Sequence, residues 1–141
     1  MRLVLIRHGE SEHELRGIIA GASGCRGLTE RGFQQTQALA DRLRATGELQ
    51  DCHALLCSPV LRVRQTAAVL AGALPVGAVE PDCGLCSVHP GEADGLSWAD
   101  YRARYGWFDL VTLPTRPFAP GGESWSDFLL RITGPHGGMS R

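Results

Sequence analysis

The chain has 141 residues, 43% hydrophobic and 21% charged, with a formal net charge of -1 at pH 7. This is one globular domain's worth of sequence: too apolar for disorder, and without an apolar run near the roughly 20 residues of a membrane span. The balanced charge gives no general attraction to nucleic acid or an anionic membrane, yet the 14 basic residues are all Arg, so an anion site here uses planar, always-charged guanidinium groups.

In chain order, Leu3 to Ile6 is a continuous apolar run, as expected of a central parallel strand covered on both faces. A Gly-rich loop follows, and Thr29 then looks like the N-cap of a helix to about Ala45, with Phe33, Leu39 and Leu43 inward and Gly47 as its stop. Ala54 to Cys57 predicts a second buried strand. Ser58-Pro59 predicts the start of the next helix, with Ser as cap and Pro in the first turn, running to about Leu74. Pro75 breaks it, and Val76 to Val79 predicts a third strand. Ser97 and Ser124, each followed three residues later by Asp, predict the starts of two short helices, the second ended by Gly134-Pro135. The order β-α-β-α-β implies a three-layer α/β/α domain over residues 1–141 with a mostly parallel sheet, and ligands bind such sheets beyond the carboxyl ends of the strands.

The chemistry-bearing residues fall at those ends. Arg7, His8, Gly9, Glu10 and Ser11 follow the first strand, Ser58 and Arg62 the second, and His89, Glu92 and Asp94 the third. Guanidinium forks match phosphate oxygens, and an imidazole held between them can attack phosphorus and split transfer into two steps through a phosphohistidine. The dipole of the helix after Ser58 is expected to point to the same place. Taken singly, Arg62 is a solvated helix residue and His8 a hydrogen-bonded structural one. Their shared position at adjacent strand ends makes them a phosphate site for a small phosphate ester.

Five cysteines, an odd number, and too short an apolar core at Met1–Arg7 for a signal peptide predict a reduced, cytoplasmic chain. Cys83 and Cys86 form a CxxC, and Cys52 and Cys57 a second close pair with the wrong spacing for a zinc site, so buried structural thiols are expected and no metal. A zinc or redox module on Cys83 and Cys86 is the alternative of a different class.

Leu5-Ile6-Arg7-His8-Gly9-Glu10-Ser11 resembles the signature of the histidine phosphatase superfamily, the phosphoglycerate mutases and related phosphatases. Gly27–Gly32 with Gln34-Gln35, Ser58–Ala67, Gly91–Leu96 and Pro120–Ser124 resemble its later blocks, in family order, over about residues 2 to 131. The resemblance implies a phosphoglycerate mutase-like fold, with His8 as nucleophile and Arg7 and Arg62 as phosphate ligands. Gly9, Ser11 and residue 14 line the pocket, and no metal or organic cofactor takes part. The short 107–122 loop favours a phosphatase over a mutase.

Three departures matter. Glu14 stands where the family has Asn, and its charge repels phosphate unless Arg16 or another cation screens it. Ser87 stands where the family often has a Glu general acid, and a hydroxyl is too weak an acid to replace it, which leaves Glu92 as the nearest substitute. His136-Gly137 looks like the family's second His-Gly pair but comes only 12 residues after Ser124, without room for a helix and a strand between. The expectation is therefore a shortened member of the family that lacks its last strand, with His136 not equivalent to the second His. A non-catalytic phosphate binder is the further alternative.

Overall fold

The computed structural model describes residues 2–134. The short helix α1 (Glu12–Arg16) ends at Gly17, which adopts the left-handed conformation with φ 61. Helix α2 (Glu30–Thr46) is capped as its sequence dictates: Thr29 Oγ1 accepts from the Gly32 amide at 2.9 Å, and Gly47 closes the far end. Its buried residues Thr36, Ala40 and Leu43 recur at helical spacing and form one face. That face packs on α3 (Leu61–Ala71), and Ala40, Leu43, Leu70, Ala73 and Leu74 make one apolar cluster. Strand β1 (Leu55–Cys57) runs parallel to β2 (Val79–Pro81), with Leu55 opposite Val79.

A second cluster surrounds Tyr101 of helix α4 (Trp98–Tyr105). The Tyr101 ring stacks on Phe118 at 4.6 Å, and its hydroxyl donates to the Phe118 carbonyl at 2.7 Å, so the buried phenol is satisfied. Ser97 caps α4, and Ser124 caps α5 (Trp125–Thr133) in a reciprocal box with Asp127. Cys25, Val60 and Cys86 form a small third cluster.

Some elements differ from expectation. Residues 3–6 belong to no strand, and Leu3 and Leu5 are 73% and 81% exposed. A strand exists only with a backbone partner, and the β1 ladder is made with β2. The 2–8 segment is tied to its surroundings by side chains instead: Arg2 to Asp51 at one end and His8 to Arg62 at the other. Helix α3 begins at Leu61 with Val60 as cap, later than Ser58-Pro59 suggests, because Ser58 is buried against Cys86. The parallel partner of β1 lies at 79–81 rather than at 76–79.

The loop that carries His8 is held against α2 by a backbone contact that admits no side chain. A Cβ on Gly32 would lie 2.0 Å from the Glu10 carbonyl oxygen, and one on Gly9 would lie 2.4 Å from the Gly32 oxygen. Helix propensity alone makes Gly32→Ala stabilising by about 1 kcal/mol. The clash reverses that sign, so Gly32→Ala is expected to lose ~3 kcal/mol or more, the upper end for overpacking. The urea unfolding midpoint checks it: an unchanged or raised midpoint contradicts the close approach.

Candidate active site

The site is built where the loop after residue 7 meets the first turn of α3. Arg62 is 8% exposed. Its Nε donates to His8 Nε2 at 3.2 Å and its Nη1 to the Ala20 carbonyl at 3.0 Å. Both acceptors are neutral, and among the described residues no carboxylate pairs with Arg62. A buried guanidinium without a counter-charge is electrostatically favourable to an anion beside it.

The His8 ring has one consistent tautomer. A guanidinium only donates, so Nε2 presents a lone pair, and the Gly9 carbonyl only accepts, so Nδ1 carries the proton in its 2.7 Å bond. Nε2 thus carries the lone pair, and it faces the buried cation.

Arg7 is placed differently from the clamp that the sequence suggests. Its side chain is 79% exposed, and its guanidinium pairs with the Glu14 carboxylate. Glu14 also accepts from the Ser11 amide at 3.1 Å and from the Ser11 hydroxyl at 2.9 Å. Burial would raise the Glu14 carboxyl, but the hydrogen bonds from Ser11 and the nearby His8 and Arg7 outweigh it and hold the group below the ordinary carboxylate range. The cation that screens Glu14 is therefore Arg7, while Arg16 pairs with Glu12 at 3.4 Å. The Gly9 amide is taken by Thr66 Oγ1 of α3 at 3.2 Å.

The first turn of α3 is covered by a thiol rather than open to a ligand: the Arg62 amide donates to Cys25 Sγ at 3.4 Å. This differs from the expected dipole contribution. Glu92 is exposed, with the Tyr105 hydroxyl 3.5 Å from its carboxylate, and it does not line the cleft beside Arg62. The expected substitute acid is thus outside that cleft, because the turn at Gly91–Ala93 carries Glu92 toward α4. Asp94 is a structural tie, accepting from the amides of Gly21, Ser23 and Gly24 at 2.8 Å each. His136 lies outside the described residues.

The cleft beside Arg62 has a volume of about 290 Å³. Ser87, Val88, Ile19, Trp98 and Phe118 contribute to its wall, and so does His13. His13 is a site residue that the sequence reading missed. It sits in the first turn of α1, its ring centroid 6.3 Å from that of His8. The Ser11 hydroxyl, having given its proton to Glu14, accepts from His13 Nδ1 at 2.8 Å. The available signal was its spacing, five residues after His8 and two after a helix cap.

Residues 3–135 match the histidine phosphatase superfamily (branch 1). The chain belongs to that superfamily. It is 35% identical over 135 residues to a 2,3-bisphosphoglycerate-dependent phosphoglycerate mutase of Methylobacterium sp. (strain 4-46), covering 92% of this chain and 63% of the relative. It is 32% identical to the enzyme of that name from Brucella ovis, covering 92% and 64%. Among solved structures it is similar to "Mycobacterial hydrolase 1" (TM-score 0.71, 27% identity, 89% of this chain and 58% of the other). It is likewise similar to a mycobacterial glucosyl-3-phosphoglycerate phosphatase in complex with VO3 (TM-score 0.70, 27% identity, 89% and 60%). The chain spans less than two thirds of the length of these relatives. The superfamily's α/β fold is the one observed, with its parallel β1–β2 pair and surrounding helices.

Burial, and then the charge of Arg62, push the His13 imidazole below its ordinary value, against the opposing pull of Glu14. A depressed folded pKa means that the unfolded chain binds the proton first. The stability from neutral His13 is therefore complete above about pH 6.5, the ordinary imidazole value, and is lost as pH falls through the lower folded value. A proton NMR titration should place His13 below 6.5, and His13→Gln should flatten that part of the stability profile. A midpoint at or above 6.5 contradicts the site's electrostatics.

Proposed function

We propose that the chain is a phosphomonoester hydrolase that works through a phosphohistidine on His8. The observation that carries this reading is the buried Arg62 guanidinium, which pairs with no carboxylate among the described residues and is bonded to the lone-pair nitrogen of His8. A phosphate monoester displaces neutral contacts from Arg62 and gains a charge-assisted pair, with its phosphorus beside Nε2. The Nε2 lone pair forms the N–P bond as the ester P–O bond breaks, and the alcohol oxygen leaves with the bonding pair and takes up a proton. Nδ1–H, held by the Gly9 carbonyl, steadies the ring as positive charge develops. Water then attacks phosphorus, releasing phosphate and restoring His8.

Arg7 is a second phosphate ligand once an anion competes with Glu14 for it, and Gly9 and Ser11 shape the loop around the phosphate. No metal takes part in the transfer, so rates with and without added Mg²⁺ are expected to be equal. The substrate is a small molecule, since the cleft of about 290 Å³ has room for a compact organic group on an aromatic wall. The name of the mycobacterial neighbour supports a phosphatase, the curated relatives are named mutases, and the short 107–122 loop is what favours hydrolysis here. The reading places the chain in the cytoplasm, where its close thiol pair stays reduced.

Two tests follow from this chemistry. Incubation with a labelled aryl phosphate should give an acid-labile phosphoenzyme that His8→Ala abolishes, and label persisting in that variant contradicts the assignment. In the same preparation Arg62→Ala should weaken vanadate binding by about 30-fold, since a charged hydrogen bond to a desolvated anion is worth ~2 kcal/mol. Vanadate binding without any phosphoenzyme would make the chain a phosphate-binding protein instead.

Leaving-group dependence is a separate check on the missing acid. Ser87 lines the cleft where the resemblance expects a carboxylic acid, and Glu92 is elsewhere. A poor leaving group needs a proton, so an alkyl phosphate should be cleaved at least ~100-fold more slowly than an aryl one, the usual scale of general-acid catalysis. Glu92→Gln should change neither rate. Equal rates on both esters, lost in Glu92→Gln, would show that Glu92 reaches the substrate.

A further inference from the structure

Cys83, Cys86 and His89 have no role in the transfer described above, yet their side chains converge. Cys83 Sγ lies 3.2 Å from Cys86 Sγ and 3.3 Å from His89 Nε2. All three ligating atoms fall within 4.8 Å of one another. The sequence offers only a CxxC without a matching second pair, and the fold supplies the third group.

The convergence is built from several directions. Asp82 caps the turn Cys83–Leu85 by accepting from the Gly84 amide at 2.7 Å, and the Cys86 amide closes the turn on the Cys83 carbonyl at 3.0 Å. The backbone of His89 is fixed by Glu123: its amide donates to Glu123 Oε2 and its carbonyl accepts from the Glu123 amide, each at 2.9 Å. Glu123 Oε1 also faces His89 Nδ1 at 3.4 Å, which leaves Nε2 as the nitrogen beside the thiols. Arg131 of α5 completes the frame by donating to both Glu123 oxygens and to the carbonyls of Cys83, Cys86 and Ser87.

We propose that Cys83, Cys86 and His89 bind zinc or a similar thiophilic divalent cation, with water as the fourth ligand. Tetrahedral zinc with bonds of about 2.3 Å to sulfur and about 2.05 Å to nitrogen sets S···S near ~3.8 Å and S···N near ~3.5 Å. The sulfurs need only separate by about half an ångström to reach that spacing. Binding forms two Zn–S bonds and one Zn–N bond and releases two thiol protons, with no change of oxidation state. The resulting Zn²⁺–dithiolate unit is neutral and leaves the Arg131–Glu123 pair balanced. A carboxylate on the far nitrogen of a metal-bound imidazole is the usual outer support of such sites, and Glu123 occupies that place.

Ser87, Val88 and Pro90, which line the cleft beside Arg62, lie between and just after the three ligands, so a bound ion pins the cleft wall. Cys86 Sγ is also 3.1 Å from the buried Ser58 hydroxyl at the end of β1, which ties the site to the sheet.

The test uses the reduced full chain and the metals alone, so it does not depend on phosphatase activity. After equilibration with Zn²⁺ and gel filtration, elemental analysis should give one zinc per chain. Cys52→Ser, remote from the cluster, should keep it, and Cys83→Ser and His89→Ala should each bind at least ~10-fold more weakly. Circular dichroism checks that these variants fold. If they do not, Cd²⁺ added to the unaltered chain decides, through an ultraviolet thiolate charge-transfer band with the intensity of two Cd–S bonds. Failure of the reduced chain to retain zinc, full retention by folded Cys83→Ser and His89→Ala, or a cadmium band without two thiolates each overturns the site.

Discussion

The bond from Arg62 Nε to His8 Nε2 is the constraint on which the rest of the structure depends. Burying a guanidinium costs several kcal/mol unless its charge is answered, and among the described residues two neutral acceptors answer it. The fold carries that cost, and on the proposed function an arriving phosphate ester would offset it. Much of the scaffold serves this one placement. The α2–α3 cluster fixes the helix that bears Arg62, and the contact of Gly9 and Gly32 sets the depth of the His8 loop. Thr66, one turn along α3, receives the Gly9 amide and so locks loop and helix in register.

Around this core bond the charges form a chain. His13 donates to Ser11, Ser11 to Glu14, and Glu14 also receives Arg7. Each link settles the proton position of the next. Arg7 answers the Glu14 charge, so on the proposed function Glu14 would not repel a phosphate and would hold a cation for it. The arrangement leaves Arg7 exposed on a surface ion pair and Arg62 buried and fixed by its two acceptors.

The sequence was informative wherever the cause was local. Thr29, Ser97 and Ser124 cap the helices that they were expected to cap, because an N-cap needs only its own next three residues. His8 and Arg62 were legible from their places after an apolar run and in the first turn of a helix, and the structure joins them. What escaped was set by partners beyond the next helical turn. The strand expected at 3–6 fails because its ladder depends on a neighbour and not on its own Leu and Ile. Arg7 was assigned to phosphate from its position, but Glu14 competes for it once α1 turns back. Glu92 looked like an acid for the cleft until the 91–93 turn sent it to Tyr105. His89 meets Cys83 directly, but its backbone is fixed there by Glu123, which lies 34 residues further on.

The central claim is that His8 Nε2, and not Nδ1, is the atom that takes the phosphoryl group, because Arg62 faces the first and the Gly9 carbonyl occupies the second. The most direct measurement is NMR of the phosphoenzyme trapped from an aryl phosphate, using ³¹P coupling to the imidazole to locate the bond. The account predicts a single phosphoramidate on Nε2 of His8. A phosphoryl group on Nδ1, or on another residue, contradicts it.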